Sequence, residues 1–199
     1  MTGRPSRRQQ ILEALARELE QRPGSRITTA ALAQAAGVSE AALYRHFASK
    51  ARMFEALIEF AEESVFVRIN QILAEDRQAR LRCGRMLFLL MGFAERNPGI
   101  TRVLLGEVLV GENDRLRARV DRFFGRFETQ LRQVLREARL REGSEHPLGA
   151  EGTAEMLLAL AEGRMQRFLR SGFEFSPVAG WELQWTQLSR ALFLPESTG

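Results

Sequence analysis

Residues 27–50, ITTAALAQAAGVSEAALYRHFASK, constrain the fold more than any other stretch of this 199-residue chain. They read as two short helices joined by a turn, with a third helix starting at once after them. Thr28 is placed to cap the first helix, and Leu32, Ala33 and Ala36 give it an apolar face. Gly37 supplies the left-handed residue of the turn, a conformation other side chains enter only with strain. Val38 plugs the angle between the helices. Ser39 caps the second helix, expected over about residues 40–47, by accepting a backbone N–H. There Leu43 and Phe47 share one face, while Tyr44, Arg45 and His46 point elsewhere. This is the organisation of a DNA-reading helix-turn-helix, whose second helix lies in the major groove.

Each polar residue of the block has a structural reading beside its DNA reading. Arg4, Arg7 and Arg8 form a basic lead-in to the first helix, able to reach phosphates or a minor groove; a basic tail with no specific role reads nearly as well. Thr28 and Thr29 stand at a helix N-terminus, where hydroxyls and free N–H groups suit a phosphate, although Thr28 is equally a plain N-cap. Ala41 and Ala42 lack bulk, which lets the second helix approach the groove floor and touch a thymine methyl. Tyr44 and His46 can donate to phosphates. Arg45 reads guanine or is simply solvated. Lys50 is the only lysine in the chain. It follows the cap Ser49 at a helix start, where a cation opposes the helix dipole by about a few tenths of a kcal/mol, and a DNA phosphate alongside reverses that local field.

Composition bounds the rest. The net charge of +4 and a pI near 10.4 favour a polyanionic partner without requiring one. The single cysteine, Cys83, excludes an internal disulfide and fits a reducing cytoplasm. No apolar run reaches the roughly eighteen residues that span a bilayer, and MTGRPSRRQQ lacks a signal-peptide core, so a cytoplasmic protein without a membrane anchor is expected. With two histidines, His46 and His146, and one cysteine, no metal cluster or nucleophilic triad is expected. There is no Gly-rich phosphate loop, and the adjacent pair Glu62-Glu63 does not share a helical face. No enzyme and no cofactor are expected.

The organisation is all-helical, with about nine helices and no convincing period-two strand. Expected spans are about 6–21, 50–75, 77–96, 98–110, 113–141, 151–171 and 178–193 besides the helix-turn-helix pair. A DNA-binding domain over 1–50 precedes a helical domain over 51–199. In the last helical pair, Met156, Leu160, Gly163 and Phe168 form a stripe faced by Trp185 and Leu188. Such a stripe reads as core or as an association surface. One short recognition helix touches few base pairs, and paired modules read half-sites about 34 Å apart, which points to a homodimer through these helices.

The spaced motifs Thr28-Thr29-x-x-Leu32-Ala33, Ala36-Gly37-Val38-Ser39, Leu43-Tyr44-x-His46-Phe47 and Ser49-Lys50 resemble the N-terminal domain of TetR-type regulators. Most such proteins are repressors whose C-terminal helices surround a small inducer. The remainder resembles a narrower branch, the nucleoid occlusion factors, through SEAALYRHFASKARMFEALIEF, RIN at 68–70, LLMGFAERNPGITR at 89–102, DRLRARV at 114–120, QLRQVLREARLREG at 130–143 and RFLRSGFEFSP at 167–177. GEVLVGEN at 106–113 and the tail LFLPESTG depart from that pattern. The resemblance implies a nucleoid-associated dimer on palindromic double-stranded DNA. It also implies engagement of the tubulin-like division protein FtsZ, opposing division-ring assembly over the chromosome, with no small-molecule ligand. The positions it assigns to FtsZ are Phe60, Arg68, Leu89, Gly92, Arg96 and Asn97. Leu89, Gly92 and Arg96 fall on one helical side, but Leu89 also reads as core, Asn97 as a cap, and the arginines as solvated. A ligand-responsive repressor is the alternative, and an adaptor with a vestigial helix-turn-helix stands behind it.

Overall fold

The computed structural model describes residues 6–21, 27–109 and 114–195. Arg4, the Pro23-Gly24 step, residues 110–113 of the atypical segment and the tail beyond 195 lie outside the described residues. Among those described there are nine α-helices: α1 Arg7–Gln21, α2 Thr29–Ala35, α3 Glu40–His46, α4 Lys50–Glu75, α5 Ala79–Arg96, α6 Pro98–Leu104, α7 Asp114–Glu142, α8 Gly149–Arg170 and α9 Trp181–Leu192. The expected all-helical fold is therefore present. One feature was not expected: β1 Ser144–Glu145 pairs antiparallel with β2 Leu194–Pro195, in the register Ser144 with Pro195. Two-residue strands leave no period for a sequence to display.

Helix ends follow local chemistry. The helix beginning at Pro98 stops at Leu104, short of 110, because Gly106 adopts a left-handed φ of +75° and a single 3-10 turn, Glu107–Leu109, follows. The last helix begins at Trp181 instead of 178, since Gly180 before it stands at φ +67°. At the end of α8, Phe173 N–H donates to Phe168 O at 2.9 Å and Gly172 N–H to Leu169 O at 3.0 Å. The two rings of Phe168 and Phe173 pack 5.2 Å apart, which holds Phe173 at a left-handed φ of +70° that a bulky residue seldom adopts.

Two compact units share the chain. The first comprises Met1–Glu62 and Asn97–Val120. Its core is Ile11, Leu15 and Leu19 of α1, Leu32, Leu43 and Phe47 of the helix-turn-helix, and Met53, Phe54 and Leu57 of α4. Here α6 lies so close to α1 that a Cβ at Gly99 would fall 2.0 Å from the Ala16 carbonyl oxygen. Arg102, 1% exposed, donates to the Leu19 carbonyl and, at 2.8 and 3.1 Å, to the Glu107 carboxylate. A buried guanidinium is tolerable because it is paired and hydrogen-bonded in this way.

The second unit comprises Glu63–Arg96 and Asp121–Gly199, with α5 packed on α8 and α9. Glu142 accepts from Ala79 N at 2.9 Å and caps α5 from the end of α7. Arg82 donates to the Leu73 and Asp76 carbonyls at 2.9 and 2.7 Å, closing the end of α4. Two indoles lie at Gly84: Trp181 Nε1–H donates to its carbonyl at 3.2 Å, and Trp185 covers its Cα. The two rings stack 5.5 Å apart at 21°. His146 sits between the Leu192 and Leu135 carbonyls, at 2.8 Å from Nδ1 and 3.1 Å from Nε2, and is structural.

Candidate nucleic-acid interface and docking groove

The helix-turn-helix is closed by the bonds its sequence foretells. Thr28 Oγ1 accepts from Ala31 N, and Ser39 Oγ from Ala42 N, each at 3.2 Å. Gly37, at φ +62°, donates to Gln34 O while Val38 N–H reaches back to Ala33 O. Leu43 and Phe47 are buried, so Ala41, Tyr44 and Arg45 are left on the outer face of α3 at three- and four-residue spacing. His46 is exposed and Ala42 half-buried. An exposed face carrying one small residue, one phenol and one guanidinium is chemically equipped for a DNA groove.

Several expected contacts have other partners as well. Arg7 and Arg8 stand in the first turn of α1 and are no free lead-in. Arg7 donates to Gly37 O at 2.8 Å and ties α1 to the turn, while the Arg8 guanidinium lies 5.0 Å from the centre of the Phe47 ring. Thr29 donates its one hydroxyl proton to Glu40 at 2.9 Å, linking α2 to α3. Ser49 caps α4 by accepting from Arg52 N at 3.2 Å. Lys50 places its ammonium 5.2 Å from the centre of the Phe54 ring, a cation–π contact that offsets the dipole by a similar amount.

In the second unit, α4, α5 and α9 enclose an open groove of about 560 Å³. Its lining includes Arg68, Leu89 and Arg96, three of the positions assigned to FtsZ. Arg68 and Arg96 are exposed, and among the described residues neither makes an ion pair or hydrogen bond. Leu89 is half-buried. Gly92 is buried beneath the Arg96 guanidinium, whose Nη1 a Cβ there would meet at 3.2 Å. Phe60 and Asn97 belong to the first unit. Phe60 is 48% exposed, and Asn97 holds the N-cap position of α6 with no side-chain capping bond.

The groove has walls that the sequence did not reveal. Phe88 and Leu81 are half-exposed in it, and apolar periodicity does not distinguish such a wall from core. Trp181 and Glu182 of α9 also line it, although that helix read as part of an association layer. Within that layer Phe168 and Trp185 are buried in the core of the unit itself, because they pack on Phe173 and Gly84. Met156 and Leu188 are half-buried, and Leu160 and Gly163 are exposed. On α9, Leu183 is 70% exposed.

No group of three or more His, Cys, Asp or Glu among the described residues could hold a metal ion. Cys83 is fully buried, and burial pushes its thiol well above the ordinary range, so it behaves as core and not as a nucleophile. No helix among the described residues is long and apolar enough to cross a membrane.

The N-terminal helices thus form a capped helix-turn-helix within an all-helical fold, the architecture of a DNA-binding regulator class. Residues 11–57 match the bacterial regulatory proteins of the tetR family, and residues 75–193 match the tetracyclin repressor-like C-terminal domain of SlmA-like type. The chain is 56% identical over 180 residues to the nucleoid occlusion factor SlmA of Alteromonas mediterranea, covering 90% of this chain and 92% of that one. It is 54% identical over 187 residues to SlmA of Shewanella halifaxensis, covering 94% and 95%. Among solved structures, the fatty acid degradation regulator FadR from Bacillus halodurans superposes with a TM-score of 0.80 at 15% identity, over 96% of this chain and 98% of that one. The MbdR regulator from Azoarcus sp. CIB gives 0.79 at 17% identity, over 95% and 100%. The chain belongs to the TetR family of bacterial regulatory proteins, in the branch of the nucleoid occlusion factors SlmA. That family is one of DNA-binding regulators and not of enzymes.

Proposed function

We propose that this protein binds palindromic chromosomal DNA as a homodimer and, on that DNA, docks a segment of FtsZ in the α4–α5 groove, opposing division-ring assembly over the nucleoid. The observation that carries the docking reading is the pair Arg68 and Arg96. Two exposed guanidinium groups without partners among the described residues flank the half-buried Leu89 in one groove. Unpaired cations beside an apolar floor attract a segment with both acidic and apolar side chains. The exposed face of α3 supports DNA readout by Ala41, Ala42, Tyr44 and Arg45, with Lys50, His46, Arg7, Arg8, Thr28, Thr29 and Ser39 framing it through phosphates or through the fold.

The dimer reading rests on the outer side of α8. Gly163 is exposed in mid-helix with open space above its Cα, and Leu160 is exposed beside it. A solvated glycine there costs about 1 kcal/mol relative to alanine, a cost that close approach of a partner helix explains. Leu160, Gly163, Met156 and Leu183 therefore form the proposed contact, with Leu188 at its edge.

The test is fluorescence anisotropy with a labelled FtsZ C-terminal tail peptide and the full-length protein, with and without genomic fragments selected for binding to it. Binding that DNA preserves or strengthens, and that Arg96→Ala weakens at least about tenfold, supports the docking reading. Absence of binding in both conditions overturns it and favours the ligand-responsive repressor.

A further inference from the structure

The groove extends beyond the positions assigned by family resemblance, and its far wall carries charge of the opposite sign. Arg85 donates to Asp76 at 2.5 Å and to Glu75 at 3.1 Å, so these three are paired with one another, one cation between two carboxylates. The charged lining residues outside that cluster are Arg68 and Arg96 on α4 and α5, and Glu182 in the first turn of α9, none of them in an ion pair among the described residues. Glu182 is exposed, and its carboxylate makes no ion pair among the described residues. Between these charges, Leu81, Gly84 and Phe88 recur at three and four residues and share one face of α5. Leu81 and Phe88 are 43% and 46% exposed, beside the buried ring of Trp181. Large apolar side chains half-covered in a concave site are the usual anchors of a docked side chain.

We propose that the docked segment seats an apolar side chain on Leu81 and Phe88 and presents a basic side chain to Glu182, so that α9 sets the direction and register of docking. This rests on the docking reading above and adds the partner's chemistry: the segment is of mixed charge, acidic toward Arg68 and Arg96 and basic toward Glu182. A uniformly acidic segment would meet repulsion at the α9 wall. An acidic residue in a helix's first turn also complements the helix dipole. The experiment must therefore read a contact that the dipole does not supply.

Charge reversal with rescue does so. Binding of the labelled FtsZ tail peptide is measured for wild-type full-length protein, Glu182→Lys, Phe88→Ala and Arg96→Ala, with melting temperature and solution mass as controls. Each basic residue of the peptide is also replaced in turn by glutamate. The expected result is about a tenfold loss for both Glu182→Lys and Phe88→Ala, with one glutamate-substituted peptide restoring Glu182→Lys to within about threefold of wild type. Wild-type affinity for Glu182→Lys and Phe88→Ala, together with loss in Arg96→Ala, overturns this inference and leaves the docking reading standing. Loss without rescue by any peptide also overturns it, as does a change of mass in Glu182→Lys, which makes a second copy of the chain the occupant. Failure of the wild-type protein to bind overturns the docking reading and this inference with it.

Discussion

At the start of α4 the Lys50 ammonium lies 5.2 Å from the centre of the Phe54 ring, one turn behind the cap made by Ser49. The sequence gives reason to place that cation beside a phosphate, because it opposes the helix dipole. The ring beneath it supplies a second reason of similar size, invisible until the turn was built. The two readings separate in solution. Lys50→Ala is expected to weaken binding uniformly across DNA sequences and to lower the salt slope by about one, with little change in melting temperature. An unchanged slope would assign Lys50 to helix packing alone. Arg7 and Thr29 teach the same lesson: their positions near the helix-turn-helix were legible, but their bonds to Gly37 O and Glu40 were not. Long and hydroxyl-bearing side chains reach partners 30 and 11 residues away, which no local pattern encodes. Arg102 left no signal at all, since a buried arginine looks like any other until its carbonyl and carboxylate partners are in place.

Most elements were visible from apolar periodicity, and their ends moved only where backbone geometry intervened. α4 begins and ends where the pattern places it, at Lys50 and Glu75. The shifts at Leu104 and Trp181 trace to Gly106 and Gly180 in left-handed conformations, a choice a glycine permits without announcing. The junction of α5 with α9 shows the opposite limit. Gly84 lies inside α5, where a glycine costs about 1 kcal/mol relative to alanine. In the fold it is the one residue over which Trp185 can lie, because a Cβ would fall 2.3 Å from the indole nitrogen. Trp185 is held by stacking on Trp181, itself bonded to the Gly84 carbonyl, so the ring has little room to retreat. Gly84→Ala is therefore expected to destabilise the protein by about 1–3 kcal/mol despite alanine's better helix propensity, measured as a lower midpoint in urea. A midpoint that rises would mean α9 gives way without penalty.

Across the whole molecule, the sequence made the helical class and the helix-turn-helix plain, while the second site was readable only in part. Arg68, Leu89 and Arg96 were reached through resemblance to a family, and the structure places all three in one groove lining. The α9 wall lay beyond reach because Trp181 and Glu182 come from a helix nearly a hundred residues away in sequence, and only packing on Gly84 brings them to α5. The division of apolar residues on α8 and α9 was likewise hidden. Phe168 and Trp185 fill the core of their own unit, and the outward stripe is the smaller set around Leu160 and Gly163. The function proposed above joins DNA readout by α3, pairing through that stripe and docking in the groove, and its central claim is that any effect on FtsZ depends on DNA. Sedimentation of FtsZ polymers assembled with GTP, in the presence of this protein with and without its selected DNA fragments, tests that claim most directly. The pelleted fraction is expected to fall when protein and DNA are both present, and Arg96→Ala to restore it. An FtsZ pellet unchanged by protein with DNA would contradict that claim.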